Sequence, residues 1–285
     1  MNIAVLGNHP NWHFEDLVRA AGSDHQMTLV PWSEVRANLG DVETAGVQGD
    51  DFELVLVRGM PTGSLEQVIF AMDALARWQT SGTTIVNSPK SLEACIDKYL
   101  SLAMMQSAGL PVPATAVCQT VDQAMTAYDE LGGDVVIKPL FGGEGRGMVR
   151  VSDPDLALRA CRTIVILRGV VYLQRFIEHG NEDVRLLVIG EDVLGMRRRN
   201  DADWRTNASR GAVCEPYQPD DDEAALALRA ARSVSALIAG VDLIRDKHNQ
   251  RKVLEINGIP GWKALANVCN VDVARKMIDC LSSNR

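Results

Sequence analysis

Asp134-Val135-Val136-Ile137-Lys138-Pro139-Leu140-Phe141-Gly142-Gly143-Glu144-Gly145-Arg146-Gly147 is the stretch on which the fold turns. A β-rich run delivers one lysine, Pro139 stops the strand, and four glycines in six residues precede the apolar pair Met148-Val149. The order is strand, anion-binding loop, strand. Glycine lets backbone N–H groups converge on an anion, because the loop can reach positive φ and no Cβ blocks close approach. Lys138 adds a point charge suited to a phosphate oxygen. A Walker loop is excluded, since there the lysine follows the glycines and opens a helix. Taken alone, the stretch also admits a plain hairpin beside a strand-end lysine.

Outward from this loop, 285 residues suffice for two or three lobes with cores of their own. A hydrophobic content of 46% and a charged content of 23% are ordinary for a globular protein. No apolar run reaches the roughly 20 residues that a bilayer span requires, and Met1 to Gly7 reads as a first strand rather than a secretion signal. The expectation is a cytoplasmic protein without a membrane partner. A net charge of −8 argues against nucleic acid as a partner. Cys95, Cys118, Cys161, Cys214, Cys269 and Cys280 are scattered without a Cys-x-x-Cys pair, which predicts reduced thiols.

The fold class expected is α/β, with α+β lobes. Strands over 3–6, 27–31, 54–57 and 83–86 alternate with helices over 14–21 and 65–78, which predicts a small parallel α/β domain over 1–88. Its first strand lacks a Gly-x-Gly-x-x-Gly turn, so it is not read as a dinucleotide site. Asn8 to His13 lies where open sheets place ligands, and is either a wall of an acceptor pocket or an ordinary loop. A second lobe over 89–168 starts with a helix, capped by Ser91, that runs to about 108 and carries Asp97-Lys98 on its surface. Strands over 114–117, 135–137 and 148–151 and a helix over 121–131 complete it. A third lobe over 169–285 has a strand over 170–177, a hairpin of 184–189 with 193–198, a helix over 221–239, a hairpin of 241–244 with 252–256, and a closing helix over 271–281.

Two further groups carry chemistry. Glu255 and Asn257, two apart on one strand, share a face, and the hairpin turn can bring Asp242 within reach of them. Three hard oxygen donors with room for water and phosphate are what magnesium prefers. Arg197 to Arg210 holds five arginines within fourteen residues of an acidic protein. Guanidinium forks match carboxylate and phosphate oxygens and offset charge that builds during phosphoryl transfer. His9, His13, His25, His179 and His248 show no ligand spacing and read as structural or surface residues.

Together these features resemble the RimK-like branch of the ATP-grasp superfamily. The residues that carry the resemblance are Asp97-Lys98, Val136 to Pro139 with Gly142 to Gly147, Gln174 to Ile177, Asp183 to Arg185, Trp204 to Asn207, Gly240 to Asp242, and Leu254 to Asn257 with Pro260-Gly261. The match spans about 88 to 281. It implies an ATP-grasp fold behind a small parallel α/β domain. Lys138 and Lys98 then meet the nucleotide phosphates with Gly142, Gly143 and Gly145 around them. Arg175 and Phe176 form the hinge whose backbone reads adenine, their side chains mattering little, and Asp183 lies near the ribose. Arg205 and Asn207 serve substrate and phosphate, Lys138, Arg205 and Asn207 being the catalytic set. Asp242, Glu255 and Asn257 hold two magnesium ions, for which manganese can substitute.

The activity implied is that of an ATP-dependent carboxylate–amine ligase working through an acyl phosphate. Glutamate is the favoured amino acid, and the carboxylate acceptor is a small molecule such as a pterin-like coenzyme, or a protein tail. A homo-oligomer is expected. A ligase resembling those of D-alanine or glutathione synthesis, or a silent ATP-binding regulatory module, are the alternatives. Gly211-Ala212, Glu144 and the segment Ile259 to Lys263 depart from the family's pattern.

Overall fold

The computed structural model describes residues 1–39, 46–61, 63–143 and 145–283. Among them the strands form one parallel and two antiparallel sheets. The first contains β1 (Asn2–Gly7), β2 (Gln26–Pro31), β3 (Leu54–Val57) and β4 (Thr84–Val86) in the order β2-β1-β3-β4. Helices α1 (Trp12–Ala21) and α2 (Leu65–Thr80) connect its strands. Every residue of β3 is buried, as expected of a parallel strand covered on both faces.

The helix read over 91–108 is two helices. Asp97 has extended backbone (φ −95°, ψ 107°), which ends α3 (Pro89–Ile96) and begins α4 (Lys98–Ser107). Its carboxylate accepts the N–H groups of Tyr99 and Leu100, so a residue read as surface charge is a helix cap. Ser88, not Ser91, caps α3. The break sets Lys98 at the first position of α4, where its N–H donates to Leu140 O at 3.3 Å, at the root of the glycine loop.

The second sheet holds β5 (Thr115–Cys118), β6 (Val135–Lys138) and β7 (Val149–Val151), backed by α5 (Val121–Glu130) and α6 (Pro154–Ile166). Its remaining strand is β8 (Val171–Arg175), which the sequence reading placed in the third lobe. β8 instead pairs with β5 and β6, because Val171 and Leu173 complete the core made by Val135 and Ile137.

The third sheet runs β11-β10-β9-β12-β13, from β9 (Glu182–Ile189), β10 (Asp192–Arg199), β11 (Val213–Tyr217), β12 (Ile238–Arg245) and β13 (Arg251–Asn257). β11 was not anticipated; Pro216 and its exposed residues suit the sheet edge that it occupies. The alanine-rich helix read to residue 239 stops earlier, as α7 (Asp221–Ser233), and Ser235 (φ 55°) turns the chain into β12. Local propensity pointed to helix, but Ile238 and Ala239 pair with β9 in the middle of the sheet. Helices α8 (Lys263–Cys269) and α9 (Val273–Ser283) close the chain, and no described helix is long and apolar enough to cross a membrane.

Alternation along β9 divides this sheet's work. Val184, Leu186 and Val188 face α7 and the α3–α4 pair. On the opposite face Leu187 and Ile189 pack under α9 and the N-terminal sheet, while Asp183 and Arg185 fall beyond that cover, toward the second sheet. One face is therefore half core and half site. Leu187→Ala should cost about 2–5 kcal/mol, read from denaturant unfolding, because the contacts it loses lie where two lobes share a core.

Candidate functional site

Behind a cleft walled by β13 and the second sheet, the charged half of β9 pairs with β10 and β12. Strand alternation sends Ile137 into the core and Lys138 into the cleft, directly beside Tyr172. Lys138 is 4% exposed. Its Nζ donates to Gln174 Oε1 at 2.7 Å, and Gln174 Nε2 donates to Thr115 Oγ1 at 3.0 Å. The amine thus rests on a neutral amide. Burial lowers its pKa to about 8, with Lys98 reinforcing that shift and Glu255 and Asp242 opposing it.

The opposite wall is built by a bulge. Asp242 pairs with Glu255 but Leu243 pairs with Val253, so Leu254 is an extra residue in β13. Val253 and Ile256 point into the core, and Leu254, Glu255 and Asn257 line the cleft. The structure thus brings Glu255, Asn257, Lys98, Lys138, Gly142 and Gly143 to one cavity of about 850 Å³. A larger cavity of about 1260 Å³ lies at the hinge, lined by Arg175, Phe176 and Ile177, and Leu102 borders both.

Asp242 is buried among arginines. Its Oδ2 lies 2.9 Å from Arg198 and its Oδ1 2.9 Å from Arg185. Burial opposes its ionisation, but the two arginines outweigh that and hold the carboxyl below its usual range. Glu255 stands directly across the ladder from Asp242. The two carboxylates and the Asn257 amide form a hard-oxygen set of the chemistry that fits magnesium, Glu255 and Asn257 lining the cavity and Asp242 lying behind them among its arginines. Gly240 makes room for this arrangement, since a Cβ there would come 2.8 Å from the Arg185 guanidinium.

Asp183 has a different place from the one expected. It is 4% exposed, and it accepts Arg198 Nε at 2.7 Å, Arg198 Nη2 at 2.5 Å and Thr206 Oγ1 at 2.6 Å. With its carboxylate so engaged, it organises the sheet. Arg205 is also held away, bonded through Nε to Asp203 at 2.9 Å and absent from the described lining of either cavity. Of the other arginines in that run, Arg197 meets Glu182 at 3.3 Å and Arg199 meets Asp201 at 2.8 Å. Each arginine of the run thus has its own partner, near in the chain for Arg199 and Arg205 and distant for Arg198 and Arg210.

The hinge differs in detail too. The N–H groups of Arg175 and Phe176 already donate to Ala114 O and Asp134 O, each at 2.9 Å, so neither is open to a base. The Phe176 side chain is also no bystander. Arg150 Cζ sits 3.5 Å from its ring centroid, and Trp204 meets its ring edge-on at 6.0 Å.

The glycine loop is fastened at two carbonyls. Lys98 Nζ donates to Gly142 O, and Arg210 Nη2 donates to Gly145 O at 2.9 Å. Gly145 has φ +65°, and a Cβ there would lie 2.5 Å from Asn207 Oδ1, so only glycine fits against Asn207. Glu144 lies outside the described residues. Asn8 to His13 and Ile259 to Lys263 meet each other: Trp262 N–H donates to His13 Nε2 at 3.3 Å, and Arg58 Nη2 donates to Pro260 O at 2.7 Å. Trp262 is fully buried at this seam, and burial pushes His13 down to about 4. The seam locks the N-terminal lobe to the end of β13, and of its residues only Ile259 is among the described lining of either cavity.

Arg185, Arg198, Gln174 and Arg210 had no individual role in the sequence reading. Asp183 and Arg185 were detectable as two charges at alternate positions near the start of a strand that is apolar from Leu186 to Ile189. The contacts of Gln174 and Arg210 depend on distant segments and had no local signal.

Residues 95–281 match the RimK-like ATP-grasp domain. The tetrahydromethanopterin:alpha-L-glutamate ligase of Methanosarcina acetivorans is 29% identical over 262 residues, covering 82% of this chain and 81% of its own. That of Methanococcus maripaludis is 32% identical over 200 residues, with 68% of each chain covered. Among solved structures, the ATP-grasp ligase PsnB complexed with a phosphomimetic precursor variant, Mg and ADP superposes with a TM-score of 0.76 at 22% identity, over 99% of this chain and 97% of that one.

Arg198 bridges two buried carboxylates, so Arg198→Ala should cost about 3–5 kcal/mol, the range for breaking a buried pair. Denaturant unfolding at neutral pH measures it, and a loss below 1 kcal/mol would show that the bridge is not structural.

Proposed function

The chain belongs to the RimK-like ATP-grasp family, a family of carboxylate–amine ligases, and from that premise we propose that it joins glutamate to a carboxylate acceptor at the expense of ATP. The observation that carries the reading is Lys138. A buried ammonium whose hydrogen bond goes to a neutral amide, beside a glycine loop and within reach of the Glu255 and Asp242 carboxylates, suits a polyanion bound together with a metal ion.

In this reading the base lies at the hinge end, against Phe176 and Ile177, and the phosphates lie at Lys138, Lys98 and the glycine loop. Asp242, Glu255 and Asn257 would hold magnesium, which supplies charge neutralisation for the phosphates when bound. The acceptor carboxylate attacks the γ-phosphate, giving an acyl phosphate and ADP, and the glutamate amine then displaces phosphate to form the amide. Lys138 stabilises charge on the transferring group, while Lys98 and Arg210 hold the loop down so that water is excluded from the acyl phosphate. The two methanogen relatives, named as tetrahydromethanopterin ligases, support glutamate as donor and a pterin-type coenzyme as acceptor. Two metal ions, manganese substitution, homo-oligomeric assembly and a cytoplasmic site belong to the same proposal.

Lys138→Ala should lower acceptor-dependent ADP release on the order of 100-fold or more, as for loss of one transition-state charge partner, with circular dichroism unchanged. Undiminished turnover would defeat the assignment. Because burial puts the free protein's Lys138 at about pKa 8, its charge is present below that pH and lost above it. The kcat/KM for ATP should therefore fall as pH rises through 8, and a flat profile from 7 to 9 would contradict the role.

A further inference from the structure

A line of hydrogen bonds crosses three neighbouring strands of the second sheet. Thr115 on β5 stands opposite Gln174 on β8, and β6 brings Lys138 to Gln174 from the other side. Thr115 borders the hinge cavity and Lys138 the cavity beside the glycine loop, with Gln174, 2% exposed, between them. The two ends of the line fix the polarity of its middle. An ammonium can only donate, so the amide must present its oxygen to Lys138, at 2.7 Å. Thr115 Oγ1 gives its own hydrogen to Pro113 O at 3.0 Å and is left as an acceptor, so it takes a hydrogen from Gln174 Nε2 at 3.0 Å. The second Nε2 hydrogen points to the Tyr172 hydroxyl, a longer contact of 3.4 Å. A reversed amide would set N–H against the ammonium and leave a buried charge without its acceptor, which is costly.

We propose that Thr115 is a positioning residue for Lys138. Its hydroxyl, anchored on the Pro113 carbonyl, turns the Gln174 amide oxygen toward the amine, and that oxygen aims the amine at the nucleotide phosphates. Thr115 lies in the wall of the other cavity and acts through Gln174. The inference rests on the placement of the nucleotide in the ligase reading above. One neutral hydroxyl thereby sets the direction of a charge two strands away.

Calorimetry on the full chain tests this with two probes, magnesium with the ATP analogue AMPPNP, and adenosine, which lacks the phosphates. Thr115→Val keeps the shape of the side chain and removes the hydroxyl, while Thr115→Ser keeps the hydroxyl and removes the methyl; thermal melting confirms that each folds. Thr115→Val should weaken magnesium-AMPPNP about three- to tenfold, the range of one net hydrogen bond, and leave adenosine unchanged. Thr115→Ser should bind both probes as the wild type does. Equal losses in the two variants, a loss of adenosine affinity matching that of AMPPNP, or wild-type AMPPNP binding by Thr115→Val would each overturn the proposal. Failure of the ligase reading would take the proposal with it but look different: magnesium-AMPPNP would not bind the wild-type chain, or would bind Lys138→Ala equally well.

Discussion

The third sheet is held in register around four buried or half-buried charges. Asp183 and Arg198 face each other across β9 and β10, Arg185 and Asp242 across β9 and β12, and Arg198 reaches over to Asp242 as well. Taking such groups from water is costly, and each is tolerable only because the others are present. A shift of one residue in any of these strands would send one member of the lattice into the apolar core on the other face. The lattice thus fixes where Asp242 sits, and through the Asp242–Glu255 pairing it fixes the cleft face of β13. Folding and site geometry depend on the same ions.

The second sheet answers with the buried Lys138. Lys138 is placed by strand alternation and by Pro139, which ends the strand there, and Gln174 holds its amine without neutralising it. The glycine loop between the two walls is tied to both sides, by Lys98 from the start of α4 and by Arg210 from the loop after β10. A nucleotide in this cleft would touch all three layers. The N-terminal lobe adds the last wall, and the Trp262 seam sets its position relative to β13.

Much of this was legible in the chain. The strand–lysine–glycine stretch, the paired Glu255 and Asn257, and the alternating pattern of the first lobe each follow a short-range rule, a period of two or a turn requirement, that sequence displays directly. Misreadings arose where a long-range partner overrode local preference. Alanine-rich residues 234–239 read as helix until the sheet claimed Ile238 and Ala239. The run from Ser91 to 108 read as one helix although Asp97, a residue type suited to an N-cap, caps the second half through the N–H groups of Tyr99 and Leu100, a local signal that was overlooked. The pairing of Asp183 with Arg198 on the neighbouring strand, and of Arg205 with Asp203 two residues away, was not read either, because a charged side chain does not announce its partner.

By itself the sequence determined the element types, the family motifs and the identity of Lys138, Glu255 and Asn257 as a set, because these rest on periodicity and on the chemistry of single residues. Tertiary structure alone decided which charges face a ligand and which face one another. It placed β8 in the second sheet, engaged Asp183 with Arg198, bonded the hinge amides, and brought Met60, Leu65 and Val68 to the cavity. The physical reason is that an ion pair or a cavity wall joins residues far apart in the chain, and their distance is set only when the sheets pack.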